Sequence, residues 1–368
     1  MSNTKIYLAE KIYTGYDMLQ QHAVAVLDNV IVGMHPLTDM PADAGVVEYK
    51  SALLAPAFID LQLYGAYKRL LSAYPDAETI KAIYEYSKAG GCSHCMPTVA
   101  THTYETIFKC IDAVRDYWNA GGAGVLGLHV EGPWISKAKR GAHNPGWIFS
   151  PSVQQAKELL EYGKDVIKII TLAPEVVSKE VIELVQSYNV VISAGHSNAT
   201  YEQATQSFNT ITTATHLYNA MSAFQHREPG MVGALFNHAS VNCSIVPDGY
   251  HVSFPAIRIA KKLMGERLFA ITDAVTETHE GYYTHALDGD KYAANGILSG
   301  SALTMNKCVK NFVEHCNIHT EEALRMCSLY PARVLNMENE LGIIATGRKA
   351  NMVVLDNDFN VLEVISPH

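Results

Sequence analysis

Four residues of this chain are of the types that activate a water molecule: Glu131, His196, His216 and Asp273. Each closes an apolar run, in VLGLHVE, VISAGH, ITTATH and LFAITD. Imidazole nitrogen and carboxylate oxygen both bind zinc, and three protein ligands leave one position open for water. Glu131, His196 and His216 therefore form a candidate ligand set. Asp273, in Ile271-Thr272-Asp273-Ala274, is a candidate proton carrier beside that water. A lone polar residue at a strand end is commonplace, but four at the ends of four apolar runs define a candidate site.

Other residues gather around these four. His129 shares a strand face with Glu131 but lies deeper, where a hydrogen-bonded core histidine is expected. Gly132-Pro133 opens a loop through Lys137, Lys139 and Arg140 to Gly141-Ala142-His143-Asn144-Pro145. Lys137 and Lys139 are expected to be solvated, whereas His143 sits in a turn and is a functional candidate. Arg227 and His251, in Arg227-Glu228-Pro229-Gly230 and Asp248-Gly249-Tyr250-His251, are types that together hold a phosphate. Cys92-Ser93-His94-Cys95 matches C-x-x-C, but no second pair completes a zinc site, so packed thiols are expected.

Runs rich in Val, Ile, Leu and Thr predict strands over 53–60, 92–98, 125–131, 166–172, 191–196, 211–216, 243–247 and 268–273. Helix-period stretches lie between them at 78–89, 103–119, 152–162, 178–188, 200–208 and 254–265. Ser152, Ser178 and Thr200 are candidate N-caps. Eight strands separated mainly by helices predict an α/β fold, a (β/α)8 TIM-type barrel, with its site at the C-terminal ends of the strands. Residues 5–50 and 342–365 read instead as short strands and turns.

The chain has 368 residues, 48% hydrophobic and 18% charged, with a formal net charge of −9. It can bury a large core, and its acidity argues against nucleic acid or an anionic membrane as a partner. The N-terminus shows no signal peptide and no stretch is long and apolar enough to span a bilayer. Seven scattered cysteines suit reduced thiols and a cytoplasmic location.

Seven ordered motifs carry a resemblance. They are His129-Val130-Glu131-Gly132-Pro133, Lys139 to Pro145, Gly195-His196-Ser197-Asn198-Ala199-Thr200, Thr215-His216-Leu217-Tyr218-Asn219-Ala220-Met221, Arg227 to Gly230, Asp248 to His251, and Thr272-Asp273-Ala274. Together they resemble the N-acetylglucosamine-6-phosphate deacetylases, a branch of the amidohydrolase superfamily. The resemblance implies a barrel at 53–340 and a small β-sandwich domain from 1–52 and 341–368. It implies a homodimer and one divalent metal per subunit on Glu131, His196 and His216. Zinc is the first expectation, and Fe, Co or Mn suit the same donors. It further implies Asp273 as general base and then acid, with His143 as a second donor to the oxyanion. Ala142, His143, Asn219, Ala220 and His251 would contact the sugar phosphate, Arg227 would reach the phosphate in the neighbouring active site, and Leu298, Ser299 and Gly300 would line the acetyl and sugar side.

Two segments depart from the family's pattern. Many amidohydrolases carry His-x-His after the first strand for a second metal, and one-metal members carry Gln and Asn there. Here the residues are Gln62 and Tyr64. The departure favours one metal, and Tyr64 is expected simply to pack. The run 275–281 also differs, over the sugar. The implied reaction is hydrolysis of the acetamide of N-acetyl-D-glucosamine 6-phosphate, within amino-sugar catabolism. Alternatives are the galactosamine epimer, an acylated amino acid, or a non-catalytic scaffold, which the four intact polar residues disfavour.

Overall fold

The computed structural model describes residues 4–40, 44–289, 291–294 and 296–367. The described residues divide into two compact units, one drawn from the ranges 4–60, 87–94 and 304–367, the other from 61–86 and 95–303.

In the first unit both ends of the chain enter one seven-stranded sheet. Met352–Leu355 pairs antiparallel with Gly45–Pro56, which runs parallel to Thr4–Tyr13. Alternation along the strands gives the sheet two apolar faces. Tyr7, Val24 and Val26 join Ile12, Leu54 and Val354 on one side, while Ile6, Ala23 and Ala25 form a separate cluster.

Eight parallel strands form the barrel: β1 (Phe58–Leu63), β2 (Cys92–Ala100), β3 (Leu128–Glu131), β4 (Ile167–Leu172), β5 (Val191–Ala194), β6 (Thr213–Ala214), β7 (Asn242–Ile245) and β8 (Leu268–Ala270). The ring closes just beyond β8, where Asp273 N–H donates to Gln62 O at 2.9 Å and Tyr64 N–H donates to Ala274 O at 2.8 Å. The strand predicted over 53–60 is in fact two. Residues up to Pro56 belong to the seven-stranded sheet, and β1 begins at Phe58. The helices between barrel strands start where the sequence signals them. Ser152 and Thr200 each form a capping box, with Gln155 and Gln203, and Ser178 accepts from Val181 N–H. A three-stranded antiparallel sheet of Ala286–Asp288, Lys291–Ala294 and Ile297–Ser301 follows β8 and was not foreseen.

Candidate active site

The four polar residues converge at the C-terminal ends of the barrel strands. Glu131 is the last residue of β3, and His196, His216 and Asp273 lie just beyond β5, β6 and β8. These three residues take left-handed backbone, with φ of 47°, 36° and 53°. Residues other than glycine seldom adopt it, and where they do the site is commonly functional.

Glu131 Oε1 lies 3.2 Å from His216 Nε2 and 3.4 Å from His196 Nε2, and the two nitrogens are 3.1 Å apart. Ligands about 2.0–2.1 Å from a tetrahedral metal stand roughly 3.3 Å from one another, so the triangle has the size of one metal's coordination face. His143 is close as well: the ligating atoms of Glu131, His143 and His196 all lie within 4.8 Å of one another. Proximity does not choose among the three imidazoles, but their hydrogen bonds do. Nδ1 of His196 faces Lys139 O at 2.8 Å and Nδ1 of His216 faces Asn219 O at 3.1 Å. A carbonyl only accepts, so each Nδ1 carries the proton and each Nε2 keeps a lone pair. His143 is the reverse. Its Nδ1 lies 2.7 Å from Thr101 Oγ1 and accepts from Thr101 N–H at 3.3 Å, and its Nε2 points at the acceptor Glu131 Oε2 at 3.2 Å, so the matching tautomer carries its proton on Nε2. His143 thus presents a donor, and Glu131, His196 and His216 present the lone pairs.

Electrostatics follow from burial. Burial alone would raise the Glu131 carboxyl, but the surrounding His196, His143 and His216 pull it well below its ordinary value. Burial raises Asp273, with the nearby Glu131 charge adding to it against His216 and His251. Asp273 Oδ1 accepts from Gln62 Nε2 at 2.9 Å, and its Oδ2 is 3.8 Å from His251 Nε2. His251 is braced by Asp248, whose Oδ2 is 2.6 Å from Nδ1. His129 is the expected core histidine, bonded to Leu61 O and Thr171 Oγ1 and pushed by burial down to about 4.

One pocket covers this cluster. Its lining includes Ala142, His143, Asn219, Ala220, His251, Leu298 and Ser299 of the predicted contacts. Gly300 lies behind it, where a Cβ would meet Val275 Cγ1 at 2.4 Å. Arg227 is exposed and outside the lining. The expectation that Tyr64 merely packs is overturned: its hydroxyl donates to Glu131 Oε2 at 2.6 Å. Sequence analysis also missed Tyr283 and His285. His285 is buried in the pocket wall, bonded to Ser299 Oγ at 2.8 Å, stacked on Tyr283, and lowered by burial to about 4. No periodicity marks the run Tyr282-Tyr283-Thr284-His285; only the small sheet that follows folds it back.

A barrel with polar groups at these strand ends defines a class, and residues 53–366 match the amidohydrolase family, to which the chain belongs. Within it, the chain is 33% identical over 366 residues to an N-acetylglucosamine-6-phosphate deacetylase of Haemophilus influenzae, covering 96% of each chain. It is 30% identical over 376 residues to an N-acetylgalactosamine-6-phosphate deacetylase of Escherichia coli O157:H7, covering 98% of this chain and 97% of that one. A crystal structure of N-acetylglucosamine-6-phosphate deacetylase from Pasteurella multocida superposes with a TM-score of 0.94 at 33% identity, covering 99% of this chain and 98% of the other. Among the described residues, no helix is long and apolar enough to cross a membrane.

Proposed function

We propose that the protein hydrolyses the acetamide of N-acetyl-D-glucosamine 6-phosphate to D-glucosamine 6-phosphate and acetate. The observation that carries this is the triangle of Glu131 Oε1, His196 Nε2 and His216 Nε2, with Asp273 held beside it by Gln62. Its donor types and spacing fit one divalent cation, zinc first, with iron, cobalt or manganese accepted by the same donors. Such a cation supplies Lewis-acid charge, which polarises the amide carbonyl and lowers the pKa of water.

The side chains do the rest. Asp273 accepts the proton of the attacking water, and the Nε2–H of His143 donates to the carbonyl oxygen as negative charge grows there. Asp273 then gives the proton to the nitrogen as the C–N bond breaks. Ala142, Asn219 and Ala220 contact the sugar phosphate, and Leu298, Ser299 and Gly300 shape the acetyl and sugar side.

Among the described residues the pocket lining contains no Lys or Arg, and His251 stands on the Asp273 side. A phosphate dianion calls for a further cation, and Arg227 stands exposed on the same chain's surface. We assign that cation to Arg227 of a second copy, in a homodimer where it completes the neighbouring site. The seven cysteines are all buried, which suits thiols packed in a cytoplasmic protein.

The test is acetate release from N-acetylglucosamine 6-phosphate, its galactosamine epimer and unphosphorylated N-acetylglucosamine. Fast release from the glucosamine phosphate alone supports the assignment. Release mainly from the epimer keeps the chemistry and changes the substrate, and equal release from the unphosphorylated sugar removes the phosphate site.

A further inference from the structure

The hydrogen bonds around Glu131 divide the duties of its two oxygens. Oε1 faces His216 Nε2 at 3.2 Å and His196 Nε2 at 3.4 Å. Oε2 accepts from the Tyr64 hydroxyl at 2.6 Å and lies 3.2 Å from His143 Nε2. The Tyr64 oxygen in turn accepts from Gln62 Nε2 at 2.7 Å. The same amide nitrogen reaches Glu131 Oε1 at 3.0 Å and Asp273 Oδ1 at 2.9 Å. Gln62 is oriented from behind, because its Oε1 accepts from Thr215 Oγ1 at 2.5 Å.

A carboxylate with both oxygens free can bind a cation through both. A short charge-assisted O–H···O⁻ bond to one oxygen leaves the other as the single donor. The Gln62 amide has two hydrogens for three acceptors, so it alone cannot hold both carboxylates and the phenol at full strength. The phenol's own hydrogen makes up the deficit on Glu131. Gln62 meanwhile sits between the two carboxylates.

We propose that Tyr64 is a positioning residue that restricts Glu131 to one-oxygen binding of the metal. The claim rests on the metal assignment above, and not on the identity of the substrate.

The experiment strips metal from wild type and Tyr64→Phe and titrates both with Co²⁺. The readouts are stoichiometry, affinity by chelator competition, and the visible absorption, which senses coordination number. Wild type is expected to take one equivalent. Loss of such a partner of a metal ligand costs about 10–100-fold in metal affinity, and that loss is expected for Tyr64→Phe. Its visible bands should weaken as Glu131 turns to bind through both oxygens. At saturating cobalt, kcat should fall while KM holds. Melting of the metal-free proteins separates this from misfolding, since Phe keeps the ring's packing, and Gln62→Met provides a second variant expected to shift affinity in the same direction. Wild-type affinity and spectrum in Tyr64→Phe would overturn the proposal. The titration uses no substrate, so it is independent of the acetate assay.

Discussion

Replacing Asp273 by Asn keeps an oxygen for the Gln62 amide to donate to, yet removes the proton acceptor. The expected result is a protein with wild-type metal content whose kcat has fallen by about 10²–10⁴, measured by metal analysis beside steady-state kinetics. His143→Gln tests the opposite partner. Loss of an oxyanion donor costs about 2.7–4 kcal/mol, so kcat should fall about 10²–10³-fold with metal content retained. His285 gives a pH dependence. Burial holds its folded pKa at about 4 against an ordinary 6.5, so the unfolded chain binds the proton first as pH falls. Stability from this group is whole above pH 6.5 and declines as pH drops toward 4. Between pH 8 and pH 5 the loss is about 2 kcal/mol, and the unfolding free energy from urea titrations of His285→Gln should fall by that much less than that of wild type.

At the scale of elements, the stretch Ile297–Ser301 braces the loop beyond β8. Ser301 N–H donates to Asp273 O at 3.0 Å, and Gly300 lets the backbones approach with a φ of 155°. A Cβ there would meet Val275 Cγ1 at 2.4 Å and Asp273 O at 3.1 Å. Overpacking of this kind costs about 1–3 kcal/mol, so Gly300→Ala should lower Tm and kcat together, in a thermal melt and an activity assay of the same sample. That brace was invisible in the sequence, because its strands are short, largely exposed or half-buried, and defined only by their pairing. The barrel strands were legible because both faces of a parallel sheet are buried, which leaves plain apolar runs. The same plainness hid the division at Ala57. Residues 53–58 are apolar throughout, and nothing in their order tells which sheet accepts their hydrogen bonds. Glu131, His196, His216 and Asp273 stood out as polar residues ending apolar runs. Tyr64 did not, since an aromatic beside a strand looks the same whether its hydroxyl is idle or bonded to Glu131.

For the whole molecule, the proposed homodimer, in which Arg227 would complete the neighbouring site, invites a test of subunit exchange. Arg227→Ala lacks the cation that a partner would receive, and Asp273→Asn lacks the proton acceptor in its own pocket. In the proposed dimer, a mixed pair would have an intact Asp273 beside an intact Arg227 in one of its two sites. Mixing the two inactive proteins under conditions of exchange should restore activity, and a mixture as inactive as its components would show that Arg227 serves no neighbouring site. Stability also has a bearing on the left-handed residues at the strand ends. His196, His216 and Asp273 hold a backbone conformation that costs of order 1–3 kcal/mol each and that glycine adopts freely. A laboratory selection for heat resistance alone would therefore favour glycine at these three places. The fittest survivors of such a selection would be sturdier barrels with no catalyst left in them, so any campaign to toughen this protein has to score turnover in every round.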